Sequence, residues 1–72
     1  MKIELKNQAA KLKLITEELE SALKHSKIAS EHFVNSEVPR GCAHTLALEG
    51  HIIAIAELLA EIAKFHRTKA KV

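Results

Sequence analysis

The stretch that decides the fold is residues 52–63, Ile-Ile-Ala-Ile-Ala-Glu-Leu-Leu-Ala-Glu-Ile-Ala. At about 100° per residue, the large apolar residues here and just before share one side of a helix: Leu48, Ile52, Ile55, Leu59 and Ile62. The polar stripe is narrow and consists of Glu49, Glu57, Glu61 and Lys64, interrupted by Leu46, Ile53 and Ala60. A helix so widely apolar must be buried on more than one side, which one short partner helix cannot do. We therefore expect other copies of the chain to cover it.

The length of the chain predicts one domain spanning residues 1–72, near the size at which a single core is barely sufficient. Its one cysteine, Cys42, cannot form an internal disulfide, and no Cys/His spacing matches a zinc module. We predict no structural metal and no other cofactor, so oligomerisation is the expected source of stability. The single thiol fits a reducing, intracellular setting.

The first residues of the chain lack the uninterrupted apolar region of a signal peptide. The apolar run near residue 52 carries Glu57 and Glu61 and is too short to span a bilayer. We therefore expect a soluble protein of the cytoplasm.

A seven-residue repeat predicts that residues from about 2 to 35 form one helix packed in a bundle. The repeat consists of Leu5, Leu12, Leu19, Ser26 and Phe33, with Ile15, Ala22 and Ala29 at the intermediate spacing. No glycine or proline interrupts residues 1–38. A weaker apolar stripe lies on the opposite side and consists of Ile3, Ala10, Leu14 and Ile28. It is either a set of scattered surface aliphatics or a second subunit contact.

Residues 36–41 are predicted to form a turn. Asn35 is able to end the first helix in the left-handed conformation, and Pro39 disfavours helical geometry at Val38. Gly41 permits an unusual backbone angle before a second helix from about 42 to 69. The predicted fold is all-α, an antiparallel helical hairpin that assembles into a four-helix bundle or a larger helical oligomer.

The net charge of +2 is too small to indicate a nucleic-acid binder by itself. Basic residues concentrate near the two termini: Lys2, Lys6, Lys11, Lys13, Lys64, Arg67, Lys69 and Lys71. Acidic residues Glu17, Glu18 and Glu20 lie between them. In a hairpin, both basic ends fall at the same pole.

Histidines occur in two pairs with seven-residue spacing, His25 with His32 and His44 with His51. In a hairpin that turns near Val38, His25 lies level with His51, and His32 with His44. Three functional interpretations are open: a divalent-metal site with Glu31 or Glu49, phosphotransfer at His44, and a pH switch. The alternative is that the histidines lie in a helix interface, hydrogen-bonded to each other, to glutamate or to water.

The start of the second helix has the composition of an anion site. A helix N-terminus offers free amide groups and a partial positive charge. Arg40 precedes it, Gly41 allows close approach of the backbone, and His44 and Thr45 add donors. In an antiparallel oligomer, Arg67 near the basic end of a neighbouring copy would join the same pocket. The alternative is a capped turn with Arg40 in solvent.

Residues 39–51, Pro-Arg-Gly-Cys-Ala-His-Thr-Leu-Ala-Leu-Glu-Gly-His, resemble the helical-hairpin domain of phage sponge proteins that counteract CBASS and Thoeris immunity. In that family a Ser-Arg-type turn leads into a helix with alanine, threonine and a Leu-Glu pair, which correspond to Ala43, Thr45 and Leu48-Glu49. The resemblance covers about a third of the chain and requires a one-residue gap.

Members of the family are small helical oligomers that sequester cyclic nucleotide or cyclic ADP-ribose signals at subunit interfaces. The resemblance implies the same role here, in the cytoplasm of an infected host cell, with Arg40 and Thr45 as site residues. The chain departs from the family in having no tryptophan or tyrosine and in having Gly50 where a second acid is expected. Base stacking would have to come from Phe33 or Phe65.

These features predict a non-enzymatic oligomer that binds a small anionic ligand, such as a nucleotide signal. A protein-interaction adaptor that uses the exposed apolar stripe is the alternative, and a small RNA-binding bundle that uses the basic pole is another. Cys42 lies at the expected helix start beside Arg40. No set of nucleophile, base and orienting group accompanies it, so we expect no catalysis.

Overall fold

The computed structural model describes residues 2–69 and shows two long α-helices packed as an antiparallel hairpin. Helix α1 spans Lys2–Val34 and helix α2 spans Val38–Lys69. The hairpin measures 55 by 17 by 12 Å. The predicted all-α class and the hairpin are thereby confirmed. Lys71 and the side chain of Lys2, two members of the predicted basic pole, lie outside the described residues.

A hydrogen-bonded cap ends α1 at Ser36. The amide of Ser36 donates to the carbonyl of Phe33 at 3.0 Å, and the amide of Glu37 donates to that of His32 at 2.7 Å. This pattern is the Schellman motif, in which the residue after the helix adopts the left-handed conformation. Ser36 does so, with φ of 60°. The sequence prediction that gave this role to Asn35 was therefore wrong by one residue.

The predicted turn at residues 36–41 and the predicted helix start at about 42 are also wrong, because α2 begins at Val38. The amide of Gly41 donates to the carbonyl of Glu37 at 3.0 Å, so Gly41 is already part of the helix. Pro39 lies in the first turn, where an amide has no helical partner and the fixed φ of proline suits the helix. Gly41 has no positive φ.

Two rows of residues with seven-residue spacing form the seam between the helices. The apolar seam row consists of Ile15, Ala22 and Ala29 of α1 with Gly41, Leu48, Ile55 and Ile62 of α2, all of them buried or half-buried. The second row is half-buried and mostly polar, and consists of Lys11, Glu18, His25 and His32 with His44, His51, Leu58 and Phe65. Among the described residues, the buried hydrophobic side chains are Ile15, Ala22, Ala29 and Ile55.

The leucine repeat predicted to face the second helix lies beside the seam instead. Leu12 and Leu19 are 52% and 51% exposed, and Leu5 and Phe33 are exposed as well. Alanines and flat imidazole rings let the two helices approach closely, so α1 turns its histidines toward α2 and its leucines to the flank. Neither helix, within residues 2–69, has the length and apolar character that crossing a membrane requires.

The left-handed cap predicts the effect of a glycine at residue 36. Ser36→Gly is expected to raise the free energy of unfolding by about 0.5–1 kcal/mol, because glycine adopts this conformation without the Cβ penalty. The control Ser30→Gly, at an exposed position within α1, is expected to lower it by about 0.5 kcal/mol. Chemical denaturation at fixed protein concentration measures both. A loss of stability in Ser36→Gly would contradict the cap.

Candidate functional site

Arg40, the central residue of the predicted anion pocket, lies in the first turn of α2 with its side chain 70% exposed. Its Nη1 donates to Oε2 of Glu37 at 3.0 Å. The positive end of α2 therefore already has a carboxylate beside it, which is the arrangement that the helix dipole favours. An anion at this turn would have to displace Glu37 or share Arg40 with it.

Gly41 and Thr45 make their contacts within the chain. Gly41 is buried, and a Cβ built on it would lie 2.8 Å from two ring atoms of Phe33. The Thr45 hydroxyl donates to the carbonyl of Gly41 at 2.8 Å. The Phe33 ring occupies the space beside Gly41 that a Cβ would fill. The Thr45 hydroxyl already donates to the helix backbone.

The remaining two predicted site residues lie elsewhere. His44 is half-buried in the seam, where its Nδ1 lies 2.9 Å from Nδ1 of His25. Arg67 is in the last turn of α2, and the 27 residues from 40 to 67 correspond to about 40 Å along the helix. One chain thus gathers Arg40, Gly41, His44 and Thr45 at the turn end of the hairpin and places Arg67 at the opposite end.

A row of four stacked histidines fills the polar half of the seam near the turn. Its order is His51, His25, His44 and His32, with ring centroids 5.4, 5.1 and 5.5 Å apart. We call these four residues the histidine row. The predicted pairs, His25 with His51 and His32 with His44, are neighbours in the row, as expected. The turn is centred near Ser36 rather than Val38, so the rings from the two helices interleave.

A carboxylate closes each end of the histidine row. Nδ1 of His51 lies 3.0 Å from Oε1 of Glu18, and Nδ1 of His32 lies 3.0 Å from Oε1 of Glu37. The hydrogen bond from His32 holds the pKa of the Glu37 carboxyl below its usual value, and Arg40 lowers it further. Sequence reasoning missed both carboxylates as members of this row.

The signal for these carboxylates was present in the sequence. The same pattern, a glutamate followed at seven-residue intervals by two histidines, occurs twice: Glu18, His25 and His32 in α1, and Glu37, just before α2, with His44 and His51 in α2. In an antiparallel pair, two copies of this pattern are related by a pseudo-twofold axis through the contact between His25 and His44. This symmetry places one glutamate at each end of the histidine row.

The row fixes where its protons lie. A carboxylate only accepts, so Nδ1 of His51 and Nδ1 of His32 must both carry a proton. The inner contact joins Nδ1 of His25 to Nδ1 of His44, so one of these nitrogens donates and the other accepts. Two imidazolium charges about 5 Å apart repel by roughly 3 kcal/mol at an effective dielectric constant of about 20. The row therefore cannot hold a full positive charge on every ring without strain.

A metal was one of the open interpretations of the histidines. Among residues 2–69, no three His, Cys, Asp or Glu side chains come together as a group that could hold a metal ion. The rings stack along the row and their Nδ1 atoms bind carboxylates or each other. Glu31 and Glu49, the predicted additional ligands, are both exposed.

The two broad sides of the hairpin differ sharply in character. One side has a groove of about 540 Å³, and both helices contribute to its lining: Leu14, Glu17, Glu18, Ser21, Ala54, Glu57, Leu58 and Glu61. The leucine repeat lies on the other side, where Val38, Ile52 and Leu59 of α2 continue it. We call Leu5, Leu12, Leu19, Phe33, Val38, Ile52 and Leu59 the apolar face; all seven are at least 46% exposed.

Ion pairs at the terminal end of the hairpin join the two helices. Nζ of Lys69 lies 2.9 Å from Oε2 of Glu4, and Nζ of Lys11 lies 3.5 Å from Oε1 of Glu61. The hydrogen bond from Lys69 lowers the pKa of the Glu4 carboxyl. These pairs are exposed and contribute little to stability individually. They are consistent with the register set by the histidine row.

Comparison with protein-family models, with curated proteins and with solved structures finds no match to this chain. The geometry alone therefore defines the class of protein: an amphipathic helical hairpin with one apolar side, one acidic groove and a row of histidines in its seam. The resemblance to the phage sponge family stays a prediction.

The two glycines of α2 provide a matched test of the contact between Gly41 and Phe33. Gly50→Ala is expected to stabilise the protein by about 1 kcal/mol, because alanine favours the helix and nothing lies within 4 Å of the new Cβ. Gly41→Ala has the same helical gain but must displace the Phe33 ring, and overpacking costs about 1–3 kcal/mol. We therefore expect no gain or a loss. Equal stabilisation of both variants in chemical denaturation would contradict the close packing at Gly41.

Proposed function

We propose that this hairpin is a non-enzymatic binding module that acts as a homo-oligomer, with a second copy covering its apolar face. The observation that carries the proposal is the apolar face itself, seven large side chains from both helices on one side of the hairpin. The seam by contrast buries few side chains, and two of them are alanines. A single core in a domain of this length supplies only a few kcal/mol, and oligomerisation is one of the ways in which small domains gain the rest.

The residues that flank the apolar face support burial against another copy. The next row outward consists mostly of small residues, with one large apolar residue, Leu23, and one acid, Glu49; the others are Ala9, Thr16 and Ser30 in α1, and Cys42, Ala56 and Ala63 in α2. Glu49 is the one acidic or basic residue among these eight. Depletion of charge is the compositional mark of an interface core. Small residues beside large ones also let the helices of two hairpins interdigitate.

The size of this side fits a stable interface. Its length of 55 Å and width of 17 Å give a product of about 900 Å², and a standard interface covers about 800 Å² of each partner. A second copy with the same face would complete a four-helix bundle. The acidic groove on the opposite side would stay open to solvent, because four carboxylates of each copy would otherwise be brought together.

Ile52 and Ile53 provide a matched pair of residues to test the interface. They are 50% and 55% exposed in one hairpin, but Ile52 belongs to the apolar face and Ile53 lies outside it. Ile52→Gln is expected to weaken assembly by about 2 kcal/mol or more per copy, whereas Ile53→Gln leaves the oligomer intact. Sedimentation at several protein concentrations measures both.

Equal effects of the two substitutions would contradict the assignment of the interface to this face. A folded monomer in the wild type would overturn self-assembly, and the apolar face would then be the docking surface of an adaptor for a different protein. Circular dichroism of each variant establishes that a change in mass reflects dissociation rather than unfolding.

A small anionic ligand of the nucleotide class, sequestered between copies, is the second candidate function. Lys6, Lys13, Lys64 and Arg67 lie toward the terminal end of the hairpin and form no ion pair within residues 2–69. When two copies pack with their turns at opposite ends, the turn of one copy, with Arg40, comes to the same end of the assembly as the basic end of the other. Such a pocket would be positive, and it would exist only in the oligomer.

Variants in which an arginine is replaced by the neutral residue glutamine test whether the protein binds such a ligand. The wild type is expected to be stabilised against heat by a cyclic dinucleotide, and Arg40→Gln and Arg67→Gln are each expected to lose most of this shift. Lys24→Gln, which removes the same charge from the middle of α1, is the control and is expected to keep it. A shift that is the same in all three variants would remove both arginines from the site. Native mass spectrometry of the protein as purified from cells shows directly whether a small molecule is retained.

A further inference from the structure

The contact at the centre of the histidine row limits how many protons the hairpin can bind. Nδ1 of His25 and Nδ1 of His44 lie 2.9 Å apart, which requires one proton between them. An imidazolium ion carries a proton on both ring nitrogens. The contact therefore survives when one of the two rings is charged, and it is lost when both are charged, because two N–H groups then point at each other.

The groups around this contact come from both helices and from the loop. They are Glu18, His25 and His32 on the α1 side, Glu37 in the loop, and Arg40, His44 and His51 of α2. The two carboxylates lie at the ends of the row and contact the outer rings, His51 and His32. Within the described residues, each inner ring stacks on an outer ring and is tilted by 35° against its inner partner. No carboxylate therefore compensates a second proton at the centre.

We propose that the contact between His25 and His44 is a proton-sensitive lock on the hairpin. With no more than one charge on the pair, the contact joins α1 to α2; uptake of a second proton separates the rings and loosens the seam. The unfolded chain binds both protons, so it holds one more proton than the hairpin does in acid, and stability falls as the pH falls. The window is about pH 8 to pH 5, in which histidine changes its charge.

The other charged groups of the row act differently in this window. Each outer ring contacts a carboxylate, His51 with Glu18 and His32 with Glu37, whereas the two inner rings contact each other. The lowered pKa of Glu37 contributes stability that is present above the ordinary carboxyl range and is lost only as the pH falls below it. The acid sensitivity within the histidine range is therefore assigned to the inner pair alone.

The lock also bears on assembly, and this step rests on the proposed function. The apolar face consists of side chains from both helices, so its shape depends on how α1 and α2 are held together. Opening of the inner contact is expected to weaken the homo-oligomer over the same pH range. The lock itself does not require the oligomer, because His25 and His44 meet within one chain.

His44→Gln tests the lock. A glutamine side chain can still donate to or accept from Nδ1 of His25, but it cannot become charged. The folded variant therefore no longer excludes a proton that its unfolded chain would bind. We expect the unfolding equilibrium constant of the wild type to rise with acid more steeply than that of His44→Gln, by up to tenfold per pH unit, which is the effect of one proton. His66→Gln is the control: His66 is exposed and lies outside the row, so this variant should keep the wild-type slope.

A second measurement needs no variant. Nitrogen-15 NMR of the imidazole rings in the wild type follows each histidine through the same pH range. While the hairpin stays folded, His25 and His44 together are expected to take up about one proton, whereas His66 takes up a whole one. Two full protons on the inner pair of a folded hairpin would overturn the proposal, and so would equal pH slopes in the wild type and His44→Gln. If the wild type is a monomer but its pH slope still exceeds that of His44→Gln, the proposed assembly is refuted and the proposed lock stands.

Discussion

The hydrogen bond between His25 and His44 is the constraint on which the rest of the hairpin depends. It joins the two helices near the turn and fixes their register, because the Glu-His-His pattern of each helix satisfies its partners in one alignment only. If α2 slid by one heptad in one direction, Glu18 would face Leu58 instead of His51. In the other direction, Lys11 would face His51. The apolar seam row, made of small and aliphatic residues, tolerates either slip far better.

The same choice of residues explains the weakness of the seam and the exposure of the leucines. A row of imidazoles and carboxylates occupies half of the space between the helices, so the large aliphatic side chains of α1 are left on the flank. A hydrogen bond at a half-buried site stabilises by about 1 kcal/mol, whereas a fully buried aliphatic side chain contributes about 1.5–3 kcal/mol. The chain thus places its more specific contacts inside the hairpin and its larger apolar area outside it. In a single copy, most of the large apolar side chains of the described residues therefore remain exposed.

Much of the fold could be predicted from the sequence. Uninterrupted heptads in residues 1–34 and the apolar run near residue 52 indicate two helices, and the spacing of the histidines places them on one side of each. The errors have physical causes. Pro39 starts a helix as readily as it ends one, and Ser36 adopts a conformation that favours glycine or asparagine. The leucine repeat resembles a hairpin core because apolar periodicity shows that a face is buried without showing which neighbour buries it.

The candidate site was less predictable, for the same reason. Arg40, Gly41, His44 and Thr45 do lie together along the chain, but their donors are already engaged by Glu37, by the helix backbone and by His25. The Arg40 side chain is 70% exposed and has donors besides the one that binds Glu37. A ligand site built on this turn therefore needs groups from elsewhere, and the cations that form no ion pair in the described part of the chain are at the far end of the hairpin. One chain cannot bring the two ends together, whereas two chains packed with opposite directions would do so at both ends of the bundle. The proposed ligand site therefore depends on the proposed assembly, because one hairpin holds Arg40 and Arg67 at opposite ends.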